Sequence, residues 1–274
     1  MAQVRQLHGG QGRRSQERLL LEGTHLLQEA LRLGLQPELV LATPAWLERH
    51  GDLVAALPAA SQLRPVAPQV LAAAATTLHP DGVLLTVALP APRPPAGGAR
   101  FVLALDRLQD PGNLGTLLRT ALAAGVELVW LADGADPYQP KVLRASSGAA
   151  LALPLQRWPA AELAGRLAQA RQGGLQVLAA VLASPQWPDP RPYWQCDWTR
   201  PTLLLLGNEG AGLDPALREM VDSSVTIPHS LELESLNVAV AAAPLLLERW
   251  RQQGGGGAPG AVAGENGLTR EPVR

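Results

Sequence analysis

The sequence predicts an α/β protein whose C-terminal part is built on a mostly parallel sheet. Three observations carry this expectation. Short apolar runs at 101–105, 127–131, 175–182, 202–206 and 225–227 are nearly unbroken by polar residues, as in strands covered on both faces. Helical patterns at 114–124, 161–171, 214–221 and 236–250 separate most of them. Polar loops follow three of the strands, and open α/β sheets place their chemistry at such strand ends.

The N-terminal part reads as a smaller α/β domain over residues 17–90. Leu19 to Leu21 form a strand, and Thr24 to Leu33 a helix with Leu26, Leu27, Ala30 and Leu31 at helical spacing. Glu38 to Leu41 is a second strand, Pro44 and Pro68 open helices, and Val83 to Ala88 is the last strand. Residues 1–16, polar and glycine-containing, are expected to be mobile. The prolines after Leu89 cannot donate ladder hydrogen bonds, which makes 91–100 a linker. The second domain then covers 101–252, and the glycine-rich residues 253–274 form a disordered tail.

Composition narrows the functional classes. At 274 residues and 47% hydrophobic the chain can bury a sizeable core in one or two domains. A formal net charge of -1 argues against a non-specific nucleic-acid coat, so a basic surface must be local. The single cysteine, Cys196, allows no internal disulfide and no cysteine-based metal site. The histidines show no metal-binding spacing, so no metal is expected. No apolar run reaches the roughly 18 residues of a membrane span, and no signal-type segment follows Arg5, Arg13, Arg14 and Arg18. A cytoplasmic protein without membrane contact is expected.

Three blocks carry candidate chemistry. In the first, Pro111-Gly112 forms a turn, Asn113 is a natural N-cap, and Arg119 lies on the flank of the following helix one turn after Gly115. Gly115 leaves room for a ligand or another backbone. In the second, Leu206 leads into Gly207-Asn208-Glu209-Gly210-Ala211-Gly212, and Asp214 with Pro215 starts a helix. Glu209 is either a functional acid or a loop-organising acceptor. The loop has neither the Lys-Ser/Thr of a P-loop nor the GxGxxG of a dinucleotide site. In the third, Ile227-Pro228 leads to Ser235, a natural N-cap for a helix from Leu236, with Asn237 in its first turn.

The order of these blocks resembles the three motifs of the SpoU/TrmH family, RNA ribose 2′-O-methyltransferases of the SPOUT superfamily. The segments Leu21 to Leu31 and Thr77 to Val83 are similar to the start and end of the family's substrate-binding domain. The resemblance implies a C-terminal trefoil knot, an L30e-like N-terminal domain, a homodimer and S-adenosyl-L-methionine (AdoMet) as methyl donor without a metal. It also implies a catalytic group of Arg119, Asn113, Glu209, Ser235 and Asn237. Leu206, Gly207, Ile227, Leu236 and Val238 would hold the cofactor. An arginine is ordinarily always protonated, so Arg119 would bind a phosphate and stabilise the developing alkoxide, not act as a simple base. Arg144 to Ala149 matches a family segment near the site. The RNA, ribosomal more than transfer RNA, would meet Arg13, Arg14, Arg18, Lys141 and Arg144.

Four positions depart from the family pattern: Gly112 for Gln, His229 for Met, Leu231 for Gly, and Pro244 within the last helix, where it should kink or break the helix. His229, Leu231 and Pro244 motivate a second reading, an RNA-binding relative without turnover; Gly112 is the milder change. A third is another α/β enzyme using a nucleotide through Gly207 to Gly212.

Overall fold

The computed structural model describes residues 1–91, 95–230 and 232–254. In the N-terminal lobe, helices α1 (Ala2–Gln6) and α2 (Gly10–Gln16) precede β1 (Arg18–Glu22), α3 (Thr24–Arg32), β2 (Leu39–Ala42), α4 (Pro44–Arg49), α5 (Gly51–Ala55), β3 (Gln62–Pro65), α6 (Pro68–Ala74) and β4 (Val83–Ala88). The sheet order is β1-β4-β2-β3, with β4 antiparallel to both neighbours and β2 parallel to β3.

Alternation along the strands sets what each face covers. Leu19, Leu21, Val40 and Leu85 face α3 and join the main core, whereas Leu20, Leu41 and Leu84 pack on Val4, Leu7, Leu71 and Ala74. This outer cluster corrects the expectation of a mobile 1–16 segment. Val4 and Leu7 are needed to bury the second face of the sheet. The buried Arg13 then ties the segment to the other lobe, donating to Leu7 O, His8 O and Asp136 Oδ2.

The C-terminal lobe runs β5 (Phe101–Asp106), α7 (Pro111–Ala123), β6 (Leu128–Ala132), α8 (Pro140–Ala145), α9 (Ala149–Ala152), β7 (Leu155–Trp158), α10 (Ala160–Gln172), β8 (Gln176–Ala180), β9 (Arg191–Pro192), β10 (Thr202–Leu206), β11 (Ser223–Thr226) and α11 (Val238–Gln252). The strand order is β7-β6-β5-β10-β8-β11-β9, and every pair is parallel. Residues of α7 and α11 join the core on one face, and Leu163 and Leu167 of α10 cover the other. Cover on both faces explains the unbroken apolar runs.

Several elements differ from the sequence expectation. Residues 214–221 hold a 3-10 helix, Pro215–Met220, capped by Asp214. Strands β3, β7 and β9 are short and partly polar, without the apolar signal of the others. Pro244 does not break α11, which runs on to Gln252. A proline there removes the donor for the carbonyl of Val240, and Val240 is exposed, so water can take that place. Linker residues 92–94, Leu231 and tail residues 255–274 lie outside the described residues.

Candidate active site

The ends of β10, β8 and β11, three adjacent strands, open into one cavity of about 620 Å³, and Asn113 of α7, the helix after β5, joins its lining. The chain leaves β5 toward β6 on one side and reaches β10 and β8 on the other, so the cavity lies at a topological switch of the sheet. Leu206, Gly207, Ile227, Leu236 and Val238 all line it, as do Asn113, Glu209, Ser235 and Asn237.

The polar wall is a connected chain of hydrogen bonds. Asn113 Nδ2 donates to Glu209 Oε1 at 3.2 Å, and Asn113 Oδ1 accepts from Asn237 Nδ2 at 2.9 Å. Glu209 also accepts from the backbone N–H groups of Gln109 at 3.3 Å and Asp110 at 3.2 Å. Burial opposes ionisation of Glu209, but its own backbone N–H, the Asn113 amide and the Asp110 and Gln109 N–H groups outweigh it and hold the carboxyl below its ordinary pKa. With its oxygens committed to these donors, Glu209 is geometrically an acceptor that ties the second loop to the first.

Capping differs from the sequence reading. Asp110, not Asn113, caps α7, accepting from Asn113 N at 2.7 Å with Pro111 in the first turn. Asn113 is inside the helix, so its side chain is available for the bridge. Asn237, not Ser235, caps α11, accepting from Ala239 N at 2.9 Å and Val240 N at 3.2 Å. Ser235 lines the cavity and caps nothing. Asn237 fills two roles: its oxygen caps the helix while its amide reaches Asn113.

The glycines serve packing. A Cβ on Gly115 would sit 2.4 Å from Ala145 Cβ, so another backbone element, the end of α8, and not a ligand, occupies that space. A Cβ on Gly207 would meet Gly212 C at 2.5 Å, because the loop folds back on itself. The segment Arg144 to Ala149 does not line the cavity; it packs on α7 at Gly115 and also docks the N-terminal lobe, where Arg144 reaches Thr76 and Glu22 and a Cβ on Gly148 would meet Glu29.

Arg119 does not line the cavity. It stands six residues after Asn113 on α7, exposed, with no side-chain partner among the described residues. The cations expected to meet RNA divide similarly. Arg13 is buried and paired with Asp136 at 2.6 Å, which removes it as an RNA contact. Arg14 is exposed, and Arg18 is exposed and paired with Glu38. Lys141 Nζ lies 3.7 Å from Asp110 Oδ2, and the Asp110 N–H donates to Glu209.

Sequence reasoning missed three contributors. Asn208 holds the second loop, accepting from Gly210 N and Ala211 N at 2.9 Å and donating to Arg107 O at 2.8 Å. Its place inside the Gly-Asn-Glu-Gly block was the available signal. The buried Asp106 pairs with Arg107 and accepts from Asp214 N. Trp187 forms the outer wall beside Ser184 and Gln186, and nothing in its local sequence marks it.

Among the described residues, no group of His, Cys, Asp and Glu is arranged to hold a metal, and no helix is long and apolar enough to cross a membrane.

Comparison with known proteins places this geometry. Residues 1–85 match the MRM3-like substrate binding domain, and residues 100–247 match the SpoU rRNA Methylase family. The chain is 44% identical over 261 residues to an uncharacterized tRNA/rRNA methyltransferase of Synechocystis sp., covering 94% of this chain and 93% of that protein. It is 33% identical over 244 residues to the 23S rRNA (guanosine(2553)-2'-O)-methyltransferase RlmP of Bacillus subtilis, covering 88% and 92%. The SpoU methyltransferase AviRb of Streptomyces viridochromogenes, solved with AdoMet, superposes with a TM-score of 0.78 at 28% identity over 93% of this chain and 98% of that one. A solved RNA 2'-O ribose methyltransferase gives 0.77 at 31% identity over 92% and 95%. With two domain models in family order and Asn113, Glu209, Ser235 and Asn237 gathered around one cavity, this chain belongs to the SpoU rRNA methylase family.

Proposed function

We propose that this protein transfers the methyl group of AdoMet to a ribose 2′-hydroxyl of ribosomal RNA. The single observation that carries this reading is the cavity in which Asn113, Glu209 and Asn237 are joined by hydrogen bonds beside five residues suited to hold the cofactor.

The cavity suits AdoMet. Its volume of about 620 Å³ lies in the range of small-molecule sites. Leu206, Ile227, Leu236 and Val238 offer an apolar bed, and the loop from Gly207 supplies backbone groups. AdoMet supplies an electrophilic sulfonium methyl when bound. The protein's part is to position and to stabilise. The Asn113–Glu209–Asn237 chain fixes three loops, so the ribose meets a wall that needs no reorganisation. The Asn113 and Asn237 amides orient the sugar at its edge. Arg119, exposed on α7, takes the neighbouring phosphate and stabilises the oxyanion as the hydroxyl proton leaves, with that phosphate as the proton relay. Arg14, Arg18, Lys141 and Arg144 guide the RNA backbone.

The acting form is a homodimer in the cytoplasm. Leu122 on α7 and Val240, Leu247 and Trp250 on α11 leave apolar surface on two helices that pack together. A C-terminal trefoil knot is carried over from the family.

The test is methyl transfer from labelled AdoMet to total RNA of a strain lacking the gene, followed by mapping of the modified ribose. One new 2′-O-methyl position in ribosomal RNA is expected. Tight AdoMet binding without transfer to any RNA would instead support a relative without turnover.

A further inference from the structure

Leu78 is 94% exposed, yet the loop that carries it is firmly held. On one side, the buried Glu22 carboxylate accepts from Thr76 N at 3.0 Å, from the Thr76 hydroxyl, and from Thr77 Oγ1 at 3.2 Å. On the other, Asp81 accepts from Thr24 N at 2.7 Å, and Gly82 O accepts from Thr43 N at 2.9 Å. Gly82, at φ +106, packs against Trp46. An exposed leucine alone means nothing. A leucine fixed at the tip of a loop pinned on both flanks is presented in one place.

The place is specific. Arg144 donates to Thr76 Oγ1 at 2.7 Å, two residues from Leu78. Lys141 lies one turn earlier on the same face of α8 and approaches Asp110, whose N–H donates to Glu209 in the cavity wall. One face of α8 thus runs from Asp110, which lies behind the Glu209 wall, to the Leu78 loop, with Lys141 facing Asp110 at one end and Arg144 facing Glu22 and Thr76 at the other. The neighbours Thr77, His79 and Asp81 are polar, so the tip is an apolar point on a polar rim that carries both signs of charge, Arg144 with the acids Glu22 and Asp81. Protein hot spots favour Trp, Tyr and Arg and under-represent leucine. In nucleic-acid binding, leucine enters between bases while cations take flanking phosphates.

We propose that Leu78 is an apolar wedge that enters the substrate RNA next to the target nucleotide, unstacking it so that its ribose can reach the cavity. The inference rests on the RNA reading above. Sequence-specific RNA recognition works on splayed, unstacked nucleotides, and a 2′-hydroxyl must leave its stack to meet a donor at a sheet edge.

The test compares wild type, Leu78→Ala and Leu78→Met on an unmodified, protein-free 23S rRNA transcript, with AdoMet affinity measured by calorimetry. Leu78→Ala is expected to raise the KM for RNA about tenfold. AdoMet affinity should be unchanged, and Leu78→Met should restore most of the loss because it keeps an apolar tip. Equal KM for wild type and Leu78→Ala would overturn the wedge and leave the tip to a protein partner. Equal losses of AdoMet and RNA binding would also overturn it. A wild-type protein that neither binds nor methylates the transcript would overturn both this inference and the RNA reading.

Discussion

Asn113 and Glu209 meet at 3.2 Å across two loops that lie nearly a hundred residues apart in the chain. The contact joins the first turn of α7 to the loop after β10, and Asn237 extends it to the start of α11. Three loops therefore share one hydrogen-bond chain, and residues that act as a unit are not additive.

A double-mutant cycle on this pair follows directly. Asn113→Ala and Glu209→Ala should each lower kcat/KM by about 1–3 kcal/mol of transition-state stabilisation. The double variant should lose little more than either single one. Methylation kinetics of the four proteins check this, and strictly additive losses would show that the two side chains act independently.

The pH dependence of the site follows from Glu209. Its carboxyl is held below the ordinary value, so the sign is that of a depressed acid. The ionised form, and the loop order it supports, is fully present above the unfolded-state value of ~4.3 and is lost as pH falls through the folded value. AdoMet affinity should therefore be flat across neutral pH as far as Glu209 is concerned, falling only in the acid range. A fall in affinity centred near neutrality, present in wild type and absent in Glu209→Gln, would contradict this assignment.

Arg119 separates binding from chemistry. It is outside the cavity, so Arg119→Ala should leave AdoMet affinity unchanged. It should lower kcat by about 10²–10³-fold if the guanidinium stabilises the oxyanion. Arg119→Lys should recover only part of this, because a lysine cannot make the two-pronged phosphate contact. Calorimetry alongside single-turnover kinetics distinguishes the outcomes. Parallel loss of AdoMet binding would place Arg119 in the cofactor site.

Much of this was legible in the sequence, for identifiable reasons. The central strands announced themselves because cover on both faces demands unbroken apolar runs. Asn113, Glu209, Ser235 and Asn237 line one cavity because strand ends share an edge whatever their distance in the chain, whereas Arg119 lies outside it. Cap positions did not follow from residue type. Asn113 and Ser235 are good caps, but Asp110 and Asn237 hold those positions, since a cap depends on where the backbone turns helical. The order in residues 1–16 was hidden because only Val4 and Leu7 are apolar anchors, and their partners Leu20 and Leu84 lie in other elements. Gly115 was ambiguous for the same reason: nothing local shows that α8 closes on it.

The Arg13–Asp136 pair carries the last prediction. Arg13 is 5% exposed at its side chain and Asp136 is 23% exposed, so water screens the pair poorly. Burial raises the pKa of Asp136, but Arg13, the N–H of Tyr138 and the charge of Arg157 outweigh it and hold the carboxyl below its usual range. Asp136→Ala would leave a buried guanidinium without its counter-charge, at a cost of about 3 kcal/mol. Arg13→Ala removes the charge itself, although Leu7 O and His8 O then lose their donor. The Arg13→Ala, Asp136→Ala double variant should consequently be more stable than Asp136→Ala alone. Thermal unfolding would measure the order, and hydrogen exchange in α1 and α2 would show whether the destabilised variant releases these helices first. If the double variant is less stable than Asp136→Ala, the packing of the Arg13 stem outweighs its charge, and the segment is held by apolar contact through Val4 and Leu7.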